Sequence, residues 1–218
     1  MSFKQLNAVI DKAQVTDSKE SLASRIGGLE GAGPMDGPVF RTTLSYNGQE
    51  YKTKTQNVQF MMGEHVPIII LEAQTPEILY DKITPGNVET PERMEVAFYR
   101  KKTSLFGGGK IKKMKKAMLA GTAGQRATAT IIGRDARDGT STEVNGRKIS
   151  ATIVATLTVL VETSGEKFLA HVTQKIKWKA KDESEFFRLG AGTAVGNKVD
   201  VIFDPDNKSN VVIAGLPE

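Results

Sequence analysis

Cysteine is absent from the 218-residue chain, and histidine occurs only twice. The lack of cysteine excludes disulfide bonds, thiolate zinc sites and a thiol nucleophile, and it is typical of proteins from a reducing compartment. The opening residues, MSFKQLNAVIDK, lack the apolar core of a secretory signal, and no apolar run is long enough to span a bilayer. The sequence therefore predicts a cytoplasmic protein with no transmembrane segment.

Residues 101–120 contain no acidic residue, and they account for the whole net positive charge of the chain. The net charge is +5, and residues 101–120 contain seven lysines and no acid, so the remainder of the chain has a charge of −2. Attraction of nucleic acid to the whole surface is therefore not indicated. A local cationic site is compatible with this distribution.

Helical periodicity is rare, and strand-like alternation covers most of the chain. Every odd position from 149 to 161 is apolar, which is the period of a half-buried strand. Val66–Leu71 is apolar on both faces and predicts a buried strand. Asn47-Gly48 separates two strand-like runs and predicts a tight hairpin turn, because both residues tolerate positive φ. Helical spacing at residues 2–13 predicts a short N-terminal helix.

Glycine- and proline-rich breaks divide these patterns into four segments. They are a helical N-terminal segment with a Gly-rich loop (1–36), a first β module (37–103), a cationic linker (104–120) and a second β module (121–218). The sequence leaves open whether the linker is helical. Because the strand from about 148 to 163 is too long for a flat sheet in a small module, it should bend around a barrel or project as a hairpin arm.

The two β segments share a weak repeat. LSYNGQEY (44–51) and VETSGEKF (161–168) both have a strand, a turn glycine and an aromatic residue, and each is followed by a glycine-led strand. The predicted fold class is mainly β, with two tandem small barrel or roll modules and a short helical N-terminus. An OB-like barrel and a sandwich both fit these patterns.

The second β segment resembles a β-domain family of uncharacterised bacterial proteins. The resemblance covers under half of the chain and rests on turn and core residues: Gly121, Gly124, Ala127, Val144-Asn145-Gly146, Val199, Val201, Asp204-Pro205 and Val211. It implies a β fold and no particular chemistry. Such domains often occur beside membrane-anchored segments.

The sequence has no familiar catalytic, cofactor or metal constellation, so the prediction is a non-enzymatic protein. His171 is predicted to lie on the polar face of its strand, with a solvated side chain. Gly107-Gly108-Gly109-Lys110 departs from a phosphate loop because Ile111 stands where Ser or Thr is needed. Asp204-Pro205-Asp206-Asn207 is interpreted as a turn.

The sharpest candidate for binding is the lysine segment. In a helix, Ile111, Met114 and Met118 would share one stripe surrounded by cations. Such a segment suits binding to an anionic membrane surface or to a phosphate backbone. The alternative is a connector between the two β modules whose lysines are solvated. The proposed anion-binding residues are Lys110, Lys112, Lys113, Lys115 and Lys116.

Three functional hypotheses follow, the third of which is an enzyme of an unfamiliar type. The first is a structural or interaction protein that forms a homo-oligomer or binds a protein partner through β surfaces. The second is a peripheral binder of an anionic membrane or of nucleic acid through the lysine segment. No cofactor and no small-molecule substrate are indicated by the sequence.

Overall fold

A computed structural model describes most of the chain. The described residues are 3–20, 39–56, 59–71, 76–78, 92–101, 108–144, 147–179, 192–193 and 195–215. The strands are β1 (Phe3–Glu20), β2 (Val39–Tyr46), β3 (Gln49–Gln56), β4 (His65–Leu71), β5 (Glu77–Ile78), β6 (Met94–Lys101), β7 (Gln125–Val144), β8 (Arg147–Glu162), β9 (Lys167–Lys179), β10 (Lys198–Asp204) and β11 (Asn207–Gly215), and the helix α1 spans Gly108–Leu119. The predicted mainly β class is therefore confirmed.

The chain forms two compact units. The N-terminal unit is Ala8–Glu95, and the C-terminal unit comprises Met1–Asn7 and Val96–Glu218. Strand β1 contributes its first residues to the C-terminal unit and the rest to the N-terminal unit. Each unit has its own strand order, and the two are described separately below.

The predicted N-terminal helix is wrong, because residues 3–20 form strand β1. Leu6, Ala8 and Ile10 are buried at alternate positions, and the buried set then continues at Ala13 and Val15. The strand thus changes its buried face once between Ile10 and Ala13. Because of this change of face, the apolar residues are spaced along the sequence as in a helix, although the residues before and after the change each alternate as in a strand. The glycine-rich loop predicted after it, at residues 27–38, lies outside the described residues.

The N-terminal unit has the strand order β5-β4-β1-β2-β3. The predicted hairpin is confirmed: Tyr46 pairs with Gln49 across Asn47 and Gly48, whose φ angles are 50° and 75°. These positive angles match the twist of the flanking strands, which is why the Asn-Gly pair is favoured there.

A turn before β4 fixes the register of the N-terminal unit. Gly63 has a φ of 88°, and its N–H donates to the carbonyl of Val15 at 2.8 Å. The N–H of Val15 donates in return to the carbonyl of Glu64 at 2.8 Å. Directly after this contact, the pairing of β1 with β2 has a bulge between Val15 and Asp17. The core here comprises Ala13, Val15, Leu44, Phe60, Val66 and Ile68.

The C-terminal unit has the order β11-β10-β7-β8-β9, and β6 is added to β9 in parallel. The odd positions of β8 that the sequence predicts as apolar are buried where its side chains are described: Ala155, Leu157, Val159 and Val161 are each 0% exposed. The alternation itself ends after Leu157, because Thr158 and Leu160 on the other face are buried too. Burial of a Leu or Val side chain stabilises a fold by about 1.5–3 kcal/mol. The turn predicted at Asp204–Asn207 is also confirmed, since these two residues pair across it.

The register of the C-terminal unit is fixed by a turn of the same kind. Gly196 has a φ of 91° and donates its N–H to the carbonyl of Ile131 at 2.7 Å. The N–H of Ile131 donates to the carbonyl of Asn197 at 2.9 Å, and a bulge follows between Ile131 and Gly133. Val15 and Ile131 therefore occupy corresponding places in the two units.

The predicted tandem barrels are not confirmed, because over the described residues the sheet of each unit is open rather than closed. In the C-terminal unit the neighbours of β9 are β8 and β6, so β9 does not pair with β11. In the N-terminal unit, β3 and β5 stand at opposite ends of the order. A strand edge already occupied by another strand, as in β9, is not available for barrel closure.

Candidate interaction surfaces

The longest strands of the C-terminal unit extend beyond their common core. Strand β10 pairs with β7 only over Gln125–Thr130, whereas β8 pairs with β7 as far as Val144. From Gly133 onward, β7 has β8 as its single neighbour among the strands that the structure describes. This stretch, Gly133–Val144, is called the open β7 edge. It presents backbone N–H and C=O groups without a strand partner in the described part of the chain.

Helix α1 uses its apolar stripe inside the C-terminal unit. Met118 is 1% exposed and packs with Ile202 of β10 and Val212 of β11, and Met114 packs against the same cluster. The side-chain N–H of Asn210 is directed at the sulfur of Met114, 3.9 Å away. Of the apolar stripe predicted from the sequence, Met114 and Met118 therefore pack on two strands, and the side chain of Ile111 lies outside the described residues.

The lysines of α1 lie around this buried stripe. Lys113 and Lys116 are exposed, and Lys116 lies in the last helical turn, where a cation interacts favourably with the helix dipole. Lys115 is half-buried, and burial lowers the pKa of its ammonium group. The side chains of Lys110 and Lys112 lie outside the described residues. The helix thus leaves at least two of its cations in water.

The end of α1 is held by backbone contacts. The N–H of Gly121 donates to the carbonyl of Met118 at 3.0 Å, and the N–H of Thr122 donates to that of Ala117 at 3.0 Å. Gly124 then approaches β10 so closely that an added Cβ would lie 2.7 Å from Cγ2 of Ile202. Its φ of 84° also favours glycine.

His171 lies in a less solvated position than the sequence predicted. Its ring packs on Phe98, with centroids 4.8 Å apart, and it pairs with Thr158 on β8. Its Nδ1 is buried without a hydrogen-bond partner among the described residues. Burial, followed by the nearby charge of Arg100, lowers the pKa of His171 to about 4. The ring is therefore neutral near pH 7.

A polar cluster in the N-terminal unit joins three elements. The phenol of Tyr46 donates to Oδ2 of Asp11 at 2.8 Å, and Nε of Arg93 lies 3.4 Å from the same oxygen. Burial, then the hydrogen bond and charge of Asp11, raises the pKa of Tyr46. Since the carboxylate is engaged by a phenol and a guanidinium, the cluster is a structural tie between strands. Within the described residues, no group of three or more His, Cys, Asp and Glu could hold a metal ion.

A second cationic surface was missed by the sequence reasoning. Lys19 pairs with Arg41 across β1 and β2, and Arg41 pairs with Lys54 across β2 and β3. Paired residues share one face of a sheet, so these three side chains form a row, called the cationic row. All three are exposed. The sequence signal was limited to isolated lysines and an arginine, far apart along the chain.

Comparison with known proteins gives no family for the chain. No protein-family model matches it, and no curated protein sequence matches it either. The resemblance to the uncharacterised bacterial β-domain family therefore stays a prediction. In the part of the chain that the structure describes, no helix combines the length and the apolarity needed to cross a bilayer.

Proposed function

We propose that the chain is a tandem pair of related β modules and a non-enzymatic interaction protein. Its two units share a five-strand order, a glycine turn that hydrogen-bonds to the central strand, and a bulge directly after that contact. Three coincident features at corresponding places support duplication of one plan. A fold alone does not determine a function, so the interaction role rests on the surface described next.

The observation that carries the proposal is the open β7 edge. Unpaired strand edges add further strands, because their backbone groups gain hydrogen bonds when an extended segment aligns with them. The edge runs over Gly133–Val144, and its uninterrupted part, Gly133–Asp138, has the length of about five or six residues that is usual for a strand in globular proteins. We infer that a second copy or a protein partner adds a strand here.

Proline substitutions at neighbouring positions test this edge. Ala136 and Arg137 pair with Ala155 and Val154 in an uninterrupted antiparallel ladder, in which successive residues direct their N–H groups to opposite edges. Of the two variants Ala136→Pro and Arg137→Pro, one therefore loses an N–H on the open edge and the other loses a bond to β8. The variant that loses the N–H on the open edge should keep its fold and lose association. The variant that loses the bond to β8 should mainly lose stability.

Light scattering over a concentration series measures the association of wild type and of both proline variants. Circular dichroism is the control for folding. Wild type should show a concentration-dependent mass. A strict monomer at every concentration would refute self-association. An assembly that neither proline variant weakens would refute the assignment of the β7 edge.

A second candidate function is the peripheral binding of anionic surfaces through α1, and one observation favours it. Lys113 and Lys116 are exposed while Met114 and Met118 pack on the sheet, so these two lysines can contact an anionic surface by charge. Flotation with anionic vesicles, comparing wild type with K113Q/K116Q, tests it. Equal flotation of both proteins would contradict it.

A further inference from the structure

The cationic row lies in a groove of the N-terminal unit. The groove has a volume of about 830 Å³ and is lined by Asp17, Lys19, Glu20, Arg41, Thr42, Thr43, Lys52, Thr53 and Lys54. Four of these residues are cationic and two are acidic. Lys52 belongs to the next cross-strand row, in which it pairs with Thr43 and Thr43 pairs with Asp17. Positive charge is thus concentrated on one face of β1, β2 and β3.

The acids of the groove offset only part of this charge. Asp17 pairs with Lys19 at 3.0 Å between Oδ2 and Nζ. Among the described residues no salt bridge joins Arg41, Lys52 or Lys54 to an acid. Like charges directly opposite each other on a sheet are destabilising, and this row contains two such pairs. The arrangement therefore costs stability in the absence of an anion.

The C-terminal unit indicates that the fold itself does not require these cations. Counting from the corresponding residues Val15 and Ile131, the row Lys19–Arg41–Lys54 corresponds to Asp135–Thr156–Thr173. Those three residues pair across β7, β8 and β9 in the same way. One unit therefore has three cations and the other has one acid and two threonines at the same places.

We propose that the cationic row, with Lys52, binds the phosphate backbone of a single-stranded nucleic acid. Neighbouring strands are about 4.8 Å apart, so the charged ends of long side chains can spread over successive phosphates. No aromatic residue is among the described residues that line the groove, so the proposed contacts are to phosphates, which carry no base sequence. Exposed cations hold a single phosphate weakly, which favours a polymer with repeated charges.

A charge-matched pair of variants tests the site. The row variant is K19Q/R41Q/K54Q. The control variant, R126Q/K175Q/K198Q, also removes one arginine and two lysines, all exposed and all in the C-terminal unit. The probe is a fluorescent dT20 oligonucleotide, and its anisotropy is measured at several salt concentrations with each full-length protein.

The row variant should bind at least tenfold more weakly at low salt than wild type. Its slope of log K against log salt should fall by about 2, since each phosphate contact on a single strand contributes roughly 0.7. The control variant should bind like wild type. Circular dichroism should show that both variants are folded, because the substituted side chains are exposed.

Three outcomes would overturn the proposal. The first is the absence of wild-type binding at low salt, and the second is an equal loss in both variants, which would indicate net charge rather than a site. The third is row-dependent binding of anionic vesicles or of inorganic triphosphate without binding of dT20. That result would replace nucleic acid by a lipid surface or a small phosphate ligand.

Discussion

The close approach of Gly124 to β10 gives a quantitative prediction about how α1 is held. Gly121 and Gly124 both follow the helix and both have positive φ, at 73° and 84°. A Cβ at Gly121 would meet no atom within 4 Å, whereas at Gly124 it would lie 2.7 Å from Cγ2 of Ile202 and 2.9 Å from the carbonyl oxygen of Phe203. The two alanine variants thus share the backbone strain and differ in the clash.

Gly121→Ala should lower the free energy of unfolding by about 1–2 kcal/mol, the usual cost of a left-handed conformation with a side chain. Gly124→Ala should lose about 1–3 kcal/mol more, because a backbone oxygen cannot move aside without disturbing β10. Urea unfolding followed by circular dichroism measures both. In a chain of this size each kcal/mol also lowers Tm by roughly 2–4 °C.

Shortening Ile202 provides the control for the clash. In an Ile202→Ala background, Gly124→Ala should cost less than in wild type, since one of the two short contacts has gone, while Gly121→Ala should cost the same in both backgrounds. Equal losses for the two glycine variants in wild type would refute the packing of α1 against β10. The lysines of α1 would then lack a fixed orientation.

Three further predictions concern His171 and the hydrogen bond between Tyr46 and Asp11. Because the folded pKa of His171 is about 4, below the ordinary 6.5, the unfolded chain binds more protons between these values, so stability should fall as pH drops from 6.5 towards 4, by up to about 3 kcal/mol. His171→Gln should flatten this part of a urea-unfolding series, and an unchanged slope would contradict the buried position. Asp11→Asn should lower the pKa of the Tyr46 phenol in an alkaline absorbance titration, since it removes the carboxylate charge that helps to raise it. Tyr46→Phe should cost about 1 kcal/mol by loss of one hydrogen bond, and no loss would argue against that bond.

Local sequence patterns predicted the elements that depend on local physics. The Asn47-Gly48 turn, the buried strand β4 and the buried odd positions of β8 each follow from residues within one segment. The N-terminal helix failed because β1 changes its buried face midway. When the spacing of apolar residues is analysed across this change of face, the alternation on either side of it is obscured.

The cationic row shows where sequence reasoning ends. The two-residue turn at Asn47-Gly48 already fixes the register that places Arg41 opposite Lys54. Lys19, however, joins the row only through the pairing of β1 with β2. Because the sequence predicts a helix at residues 2–13, it gives β1 no partner strand. A row built from three separate strands becomes visible once their register is known.

The open β7 edge also bears on the order of folding. Strands β7, β8 and β9 are successive in the chain and pair as neighbours, so their contacts close short loops and form early. Strand β10 must return from Lys198 to Gln125–Thr130, a much longer closure. Until it arrives, the whole of β7 is an unpaired edge on a nascent chain. The charged residues of RDARD (134–138) belong to this edge in sequence, and charge on an edge strand disfavours pairing with an unmatched strand, so the edge favours a selective partner.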